Sequence, residues 1–168
     1  MKNTLRLLAA SFLLAACAAT PESAPTVSAE LRPASGSQVS GRVTFTQVGE
    51  RVRITGQVSG HSPGPKGFHI HDKGDCSAPD AMSTGGHFNP HKTRHGAPGQ
   101  GHGGDLGNLV FDANGRATVE FSVTGISVSA DRPDGIIGRG LIVHAQPDDL
   151  KTDPTGNAGG RVACAVIR

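Results

Sequence analysis

The side chains most able to do chemistry are histidines, and their spacing points to metal ions. In Phe68-His69-Ile70-His71, residues i and i+2 of an extended segment point to the same face, so His69 and His71 present two imidazoles side by side. His87, His95, His102 and Asp105 follow within a glycine-rich stretch. Three imidazoles and a carboxylate are a normal ligand set for four-coordinate zinc, and the His-x-x-Asp spacing of the last two lets one loop turn wrap a single ion. His144 comes after the apolar run Leu141-Ile142-Val143, at the expected end of a strand. His69, His71 and His144 with one loop histidine make an all-imidazole group, which suits copper.

These ligands need rigid elements to hold them. The 24 glycines and 11 prolines, with no Trp and no Tyr, argue against a helical bundle and for short strands joined by turns. From Val39 the pattern has period two. Val39, Gly41, Val43 and Phe45 alternate with polar residues, and after Gly49-Glu50 so do Val52, Ile54, Gly56 and Val58. Two half-buried strands and a tight turn follow from this. A second hairpin turns at Asn114-Gly115, between Leu109/Phe111 and Ala117/Val119/Phe121/Val123. Leu141–Val143 and Val162–Ile167 fit inner strands. Residues 73–105 and 145–160 show no strand or helix period. Loops of that length in a compact domain are functional or tied down, and the first is too rich in glycine to order itself by burying apolar surface.

The N-terminus reads as an address. Lys2 and Arg6 precede the short apolar run Leu7–Ala16, well under the ~20 apolar residues of a spanning helix. Leu14-Ala15-Ala16-Cys17 resembles the lipobox of bacterial lipoproteins, which implies a signal peptide at 1–16 and acylation of Cys17. An ordinary secretory signal cut nearby is the alternative, and both take the chain out of the cytoplasm. Residues 17–38, rich in Ala, Pro and Ser, are expected to form a flexible tether, and 39–168 the folded domain. Removing Lys2 and Arg6 takes the 16 basic residues to 14, against 14 acidic ones, so the mature chain offers no basic surplus for nucleic acid. With Cys17 lipidated, the odd count of three cysteines leaves Cys76 and Cys164, in a compartment where a disulfide persists.

The segments GFHIHDKGDC (67–76), GGHFNP (85–90), HGAPGQGHGGDLGN (95–108), GLIVH (140–144) and GNAGGRVAC (156–164) resemble, in order, those of copper–zinc superoxide dismutases. The resemblance covers about residues 40–168. It implies an all-β fold, an eight-stranded Greek-key barrel or flattened, immunoglobulin-like sandwich with two long functional loops, and one copper and one zinc per subunit. It implies His69, His71, His87 and His144 as copper ligands. It implies His87, His95, His102 and Asp105 as zinc ligands, with His87 bridging the ions. Cys76 and Cys164 match the family's disulfide. Asp148 matches a carboxylate linking a copper ligand to a zinc ligand, and Arg161 the arginine that docks the anionic substrate, so that Arg161 and His87 carry the catalysis. Superoxide is the implied substrate.

Two other readings compete: a copper-delivery lipoprotein on the same fold, and a structural surface lipoprotein. A delivery relative is expected to lack a copper ligand or the arginine, and this sequence has all of them. The subloop Ser77–Ser83 is somewhat extended, which leaves monomer and homodimer both open. His61 and His91 receive no role from the resemblance; His61 reads as a turn residue. Asp148, Asp149 and Asp153 read either as a steering surface or as a polar loop. Contact with the membrane is expected only through the N-terminal lipid. The expected location is the periplasm, with Ala18 leaning toward the outer membrane.

Overall fold

The alternating segments pair into a β-barrel in a computed structural model that describes residues 23–168. The expected signal peptide and Cys17 lie outside the described residues. In chain order the strands are β1 (Thr26–Pro33), β2 (Ser40–Val48), β3 (Arg51–Ser59), β4 (Gly64–His71), β5 (Asp105–Phe111), β6 (Arg116–Val123), β7 (Gly140–His144) and β8 (Arg161–Val166). The hydrogen-bonded order is β5-β4-β7-β8-β1-β2-β3-β6, and every pairing is antiparallel. The Asp112–Gly115 turn brings β5 beside β6 and nearly closes the barrel. With β6, β5, β4 and β7 side by side, β7 returns to lie against β4, which is the Greek-key order.

The register explains the core. Phe45 lies opposite Ile54, and Ile54 opposite Phe121; inward-facing Val43, Phe45, Val52, Ile54, Val58, Val119 and Val123 are buried. Polar residues between them face outward, as period two requires. On the other side Phe68, Ile70, Leu141, Val143, Ala163 and Ala165 complete one continuous cluster.

One expectation fails. The proposed tether at 17–38 includes strand β1, so the barrel starts at Thr26, before residue 39. Thr26 to Leu31 pair with Thr46 to Gly41 of β2, and Arg32 and Pro33 with Cys164 and Ala163 of β8. Ala29 and Leu31 are buried. The small apolar side chains in this segment leave only a faint period, and its partners come from both ends of the sequence.

The two long segments without period are loops, broken only by a single 3-10 turn at Met82–Thr84. The bond between Cys76 and Cys164 pins the first loop to β8. Burial at its base is tight: a Cβ on Gly104 would meet the carbonyl oxygen of Ile70.

Candidate metal centre

The histidines fall on two kinds of support. His69 and His71 stand on β4, and His144 ends β7, beside a register shift between Val143 and His144. His87, His95 and His102 come from the long loop, and Asp105 opens β5. All seven side chains are buried. They form two groups, His69/His71/His87/His144 and His87/His95/His102/Asp105, and the ligand atoms of each group lie within 4.8 Å of one another. His87 belongs to both.

The hydrogen bonds fix which ring nitrogen of each histidine points inward. Backbone carbonyls and carboxylates only accept, so a ring nitrogen bonded to one that lies outside the two groups carries the proton. His71 Nδ1 donates to Gly85 (2.9 Å) and His144 Nδ1 to Gly159 (3.1 Å). His69 Nε2 and His95 Nε2 donate to the two oxygens of Asp148, at 2.8 and 2.9 Å. In the neutral rings, His71 Nε2, His144 Nε2, His69 Nδ1 and His95 Nδ1 are therefore bare lone pairs. Two of them, His71 Nε2 and His144 Nε2, face each other at 3.3 Å.

On the second group, His87, His95 and His102 Nδ1 lie 2.8, 3.1 and 3.3 Å from the Asp105 carboxylate. Ligand atoms ~2.0 Å from a common tetrahedral centre stand about 3.3 Å apart, so this spacing fits zinc. His69 Nδ1, His87 Nε2, His95 Nδ1 and His102 Nδ1 are buried with no hydrogen-bond partner. Such a convergence of unpaired acceptors is unfavourable unless cations sit among them. The residues present fit one ion in each group.

Burial pushes the imidazoles toward neutrality, the state that binds metal. Burial is the main cause of the lowered pKa values of His69 (about 4), His144 (about 3) and His71, with neighbouring histidines adding to it. For Asp148, burial acts to raise the pKa. Bonds from His69, the Leu150 N–H and His95 outweigh it and bring the pKa down to about 2. Asp105 is also lowered: burial opposes this, and His87 and the Gly96 and His102 N–H groups prevail.

Arg161 stands on β8 at the rim of an open cleft that it lines with His71, His87 and His144. Its Nη1 donates to the Ala81 carbonyl (2.7 Å) and Thr84 Oγ1 (2.8 Å), and its Nη2 to the Gly85 carbonyl (2.7 Å).

The structure brings together every expected site residue among those described. In the acidic loop the carboxylates brace the backbone. Asp149 accepts from the Lys151 and Thr152 N–H groups, Thr152 Oγ1 and Asn157, and Asp153 accepts from the His95 N–H. His91 bonds the Gly125 carbonyl and belongs to neither metal group. His61 does more than turn the chain: its Nε2 lies 3.2 Å from the His144 carbonyl.

Sequence reading missed several supports. Gly85 and Gly159 act through backbone carbonyls, which leave no side-chain signal. Asn108 clamps Asp148 by accepting its N–H at 2.8 Å and donating to its carbonyl at 2.9 Å. Gly156, at φ 60°, packs against Asp148, and a Cβ there would lie 2.6 Å from His95 Nε2.

A family model described as copper/zinc superoxide dismutase matches residues 39–167. Superoxide dismutase (Cu-Zn) 2 of Brassica juncea is 45% identical over 142 residues, spanning 79% of this chain and 91% of the relative. The crystal structure of the clock protein EA4 superposes with a TM-score of 0.77 at 43% identity, covering 87% of this chain and 95% of that one.

Proposed function

The chain belongs to the copper/zinc superoxide dismutase family, and on that premise we propose that His69, His71, His87 and His144 hold copper while His87, His95, His102 and Asp105 hold zinc. The activity is the dismutation of two superoxide ions and two protons to oxygen and hydrogen peroxide. Copper supplies the one-electron couple that alternately accepts an electron from superoxide and returns one, and zinc supplies fixed charge without redox chemistry.

The protein's part is to position and to move protons. Arg161 keeps a permanent positive charge on the cleft, and its planar fork, held by three bonds to the loop, docks a small anion. Asp148 orients His69 and His95 together, so the two ligand sets are set relative to each other. His87 is the one ring with both nitrogens turned to ligand groups. Its Nε2 is the atom placed to take a proton and hand it to the departing peroxide. The disulfide and β8 fix the loop that carries His87, so the ring keeps its place through the cycle.

The observation that carries this reading is the convergence of bare, buried ring nitrogens on two points that share His87. Its test is to purify the mature chain, measure copper and zinc, and assay cyanide-sensitive superoxide removal. Near-equal loading with both metals and activity is expected; full loading without turnover favours copper delivery.

The finer biology rests on the sequence. The lipobox-like Leu14–Cys17 supports cleavage before Cys17 and acylation there, and a disulfide suits an oxidising compartment. The reading is a lipid-anchored periplasmic enzyme, held on the outer membrane and touching the bilayer only through its lipid. Intact-mass measurement of the purified chain tests it: diacylglycerol and acyl mass on an N-terminal Cys17 is expected, and an unmodified N-terminus contradicts it. A homodimer is one of the two assemblies the sequence leaves open, and sedimentation of the mature chain separates them: twice the monomer mass supports it and the monomer mass excludes it.

A further inference from the structure

His61 lies in the four-residue connection between β3 and β4, where the Gly60 N–H donates to the Gly115 carbonyl at 2.9 Å and closes one end of the barrel. Its ring packs tilted on Phe111, with centroids 5.1 Å apart, so the side chain is fixed by apolar contact before any hydrogen bond is counted. Nδ1 lies 3.1 Å from Ser62 Oγ. Nε2 faces the carbonyl oxygen of His144 at 3.2 Å, and because that oxygen only accepts, Nε2 is the protonated nitrogen. One residue further, Lys66 Nζ donates to the Ala145 carbonyl at 3.3 Å. His61 from the connection and Lys66 from β4 thus hold two successive peptides at the end of β7.

The ladder is irregular at that place, although His144 still pairs with Arg161 and the Ala145 N–H donates to the Gly160 carbonyl at 2.8 Å. The β7–β8 register shifts between Val143 and His144, so the regular pattern of bonds breaks at the residue that bears the ligand. The His144 ring is tied by Nδ1 to Gly159, a residue of the long loop. A ring fixed to a loop at one end needs its backbone fixed at the other if Nε2 is to stay in one place.

We propose that His61 is a positioning residue for the copper site, holding the His144 backbone through its Nε2–H so that the His144 ring keeps its angle toward the metal. The inference rests on the reading that His144 ligates copper. Without that bond the His144 carbonyl loses one restraint, while the Ala145 N–H of the same peptide stays bonded to the Gly160 carbonyl at 2.8 Å; Nε2 would then range more widely about its position 3.3 Å from His71 Nε2, and the copper geometry would broaden.

The test compares full-length wild type with H61L, which keeps apolar packing on Phe111 without a donor, and H61Q, whose amide N–H replaces Nε2–H. Each protein is loaded with copper and zinc, and three things are measured: the Cu(II) electron paramagnetic resonance spectrum, copper affinity, and superoxide removal. H61L is expected to shift the copper hyperfine splitting and to lose roughly tenfold in copper affinity or rate, as when a support behind a ligand is removed. H61Q is expected to restore most of both. If H61L does not fold, H61F keeps the ring contact without the donor and takes its place.

A donor-free variant with the wild-type spectrum and rate overturns the proposal. So does an H61Q protein as perturbed as H61L, since the ring packing alone would then explain the effect. Wild type that binds no copper or shows no activity overturns the metal assignment itself, a separate failure from a wild-type enzyme with an indifferent His61.

Discussion

His71 Nδ1 and Arg161 Nη2 donate to the same acceptor, the carbonyl oxygen of Gly85, at 2.9 and 2.7 Å. One peptide of the long loop therefore ties a proposed copper-ligand ring to the cation at the cleft. Loop, ring and guanidinium are tied through that one oxygen.

Arg161→Ala removes the cation and one of the two donors to that shared acceptor. The variant is expected to retain both metals while kcat/KM falls roughly ten- to hundredfold, the scale of a local electrostatic guide. Arg161→Lys keeps the charge and loses the planar fork, and should fall between the two. Rate measurements on metal-matched samples decide it, and an undiminished rate in Arg161→Ala removes the residue from the mechanism.

Asp148→Asn changes little in volume but replaces one of the two acceptor oxygens with a donor. Either His69 or His95 then faces an N–H with its own N–H, and the neighbouring ligand loses its orientation. Affinity for copper, zinc or both is expected to drop about 10- to 100-fold, read by competition with a chelator. Unchanged affinity for both ions would mean that the Asp148 bridge has no role in setting the ligands.

Most of the site was legible in the sequence because metal ligands are side chains of distinctive type, and their order along five motifs is specific. The seven candidate ligand side chains converge in two groups, Asp148 bonds His69, Arg161 shares a cleft with His71, His87 and His144, and Cys76 is bonded to Cys164. β1 was hidden because Val27, Ala29 and Leu31 sit in an Ala-, Pro- and Ser-rich context, and their pairing energy comes from β2 and β8 rather than from local pattern. Gly85, Gly159 and the His144 carbonyl were hidden because a backbone acceptor has no residue code. His61 was hidden because its contact spans 83 positions.

Gly156→Ala places a methyl group against Asp148 and His95 at a backbone angle of φ 60°. The left-handed conformation alone costs a non-glycine residue about 1–2 kcal/mol, and the clash adds to it by pushing the Asp148–His95 pair apart. Zinc affinity is expected to fall more than the Tm of the metal-free fold does. Calorimetry of both forms checks this, and equal loss in both would make Gly156 a general turn residue.

Acid should weaken the metal-free protein well before its carboxylates protonate. His69 and His144 have folded pKa values near 4 and 3 against an ordinary 6.5, chiefly through burial. Between those limits the unfolded chain binds more protons than the folded one, so stability is full above about 6.5 and falls as the pH drops below it. Asp148, near 2 when folded against an ordinary 3.8, extends the loss into the more acidic range with the same sign. Tm of the metal-free protein should decline steadily from pH 7 to pH 4. A flat profile would contradict neutral, buried imidazoles.

The shared ring is the centre of the account, and anomalous diffraction from crystals of the doubly loaded protein, collected at the copper and zinc edges, examines it directly. Copper is expected within bonding distance of His87 Nε2 and zinc within bonding distance of His87 Nδ1, with His71 and His144 on the copper side and Asp105 on the zinc side. A single ion, or two ions of which one does not touch His87, would contradict it.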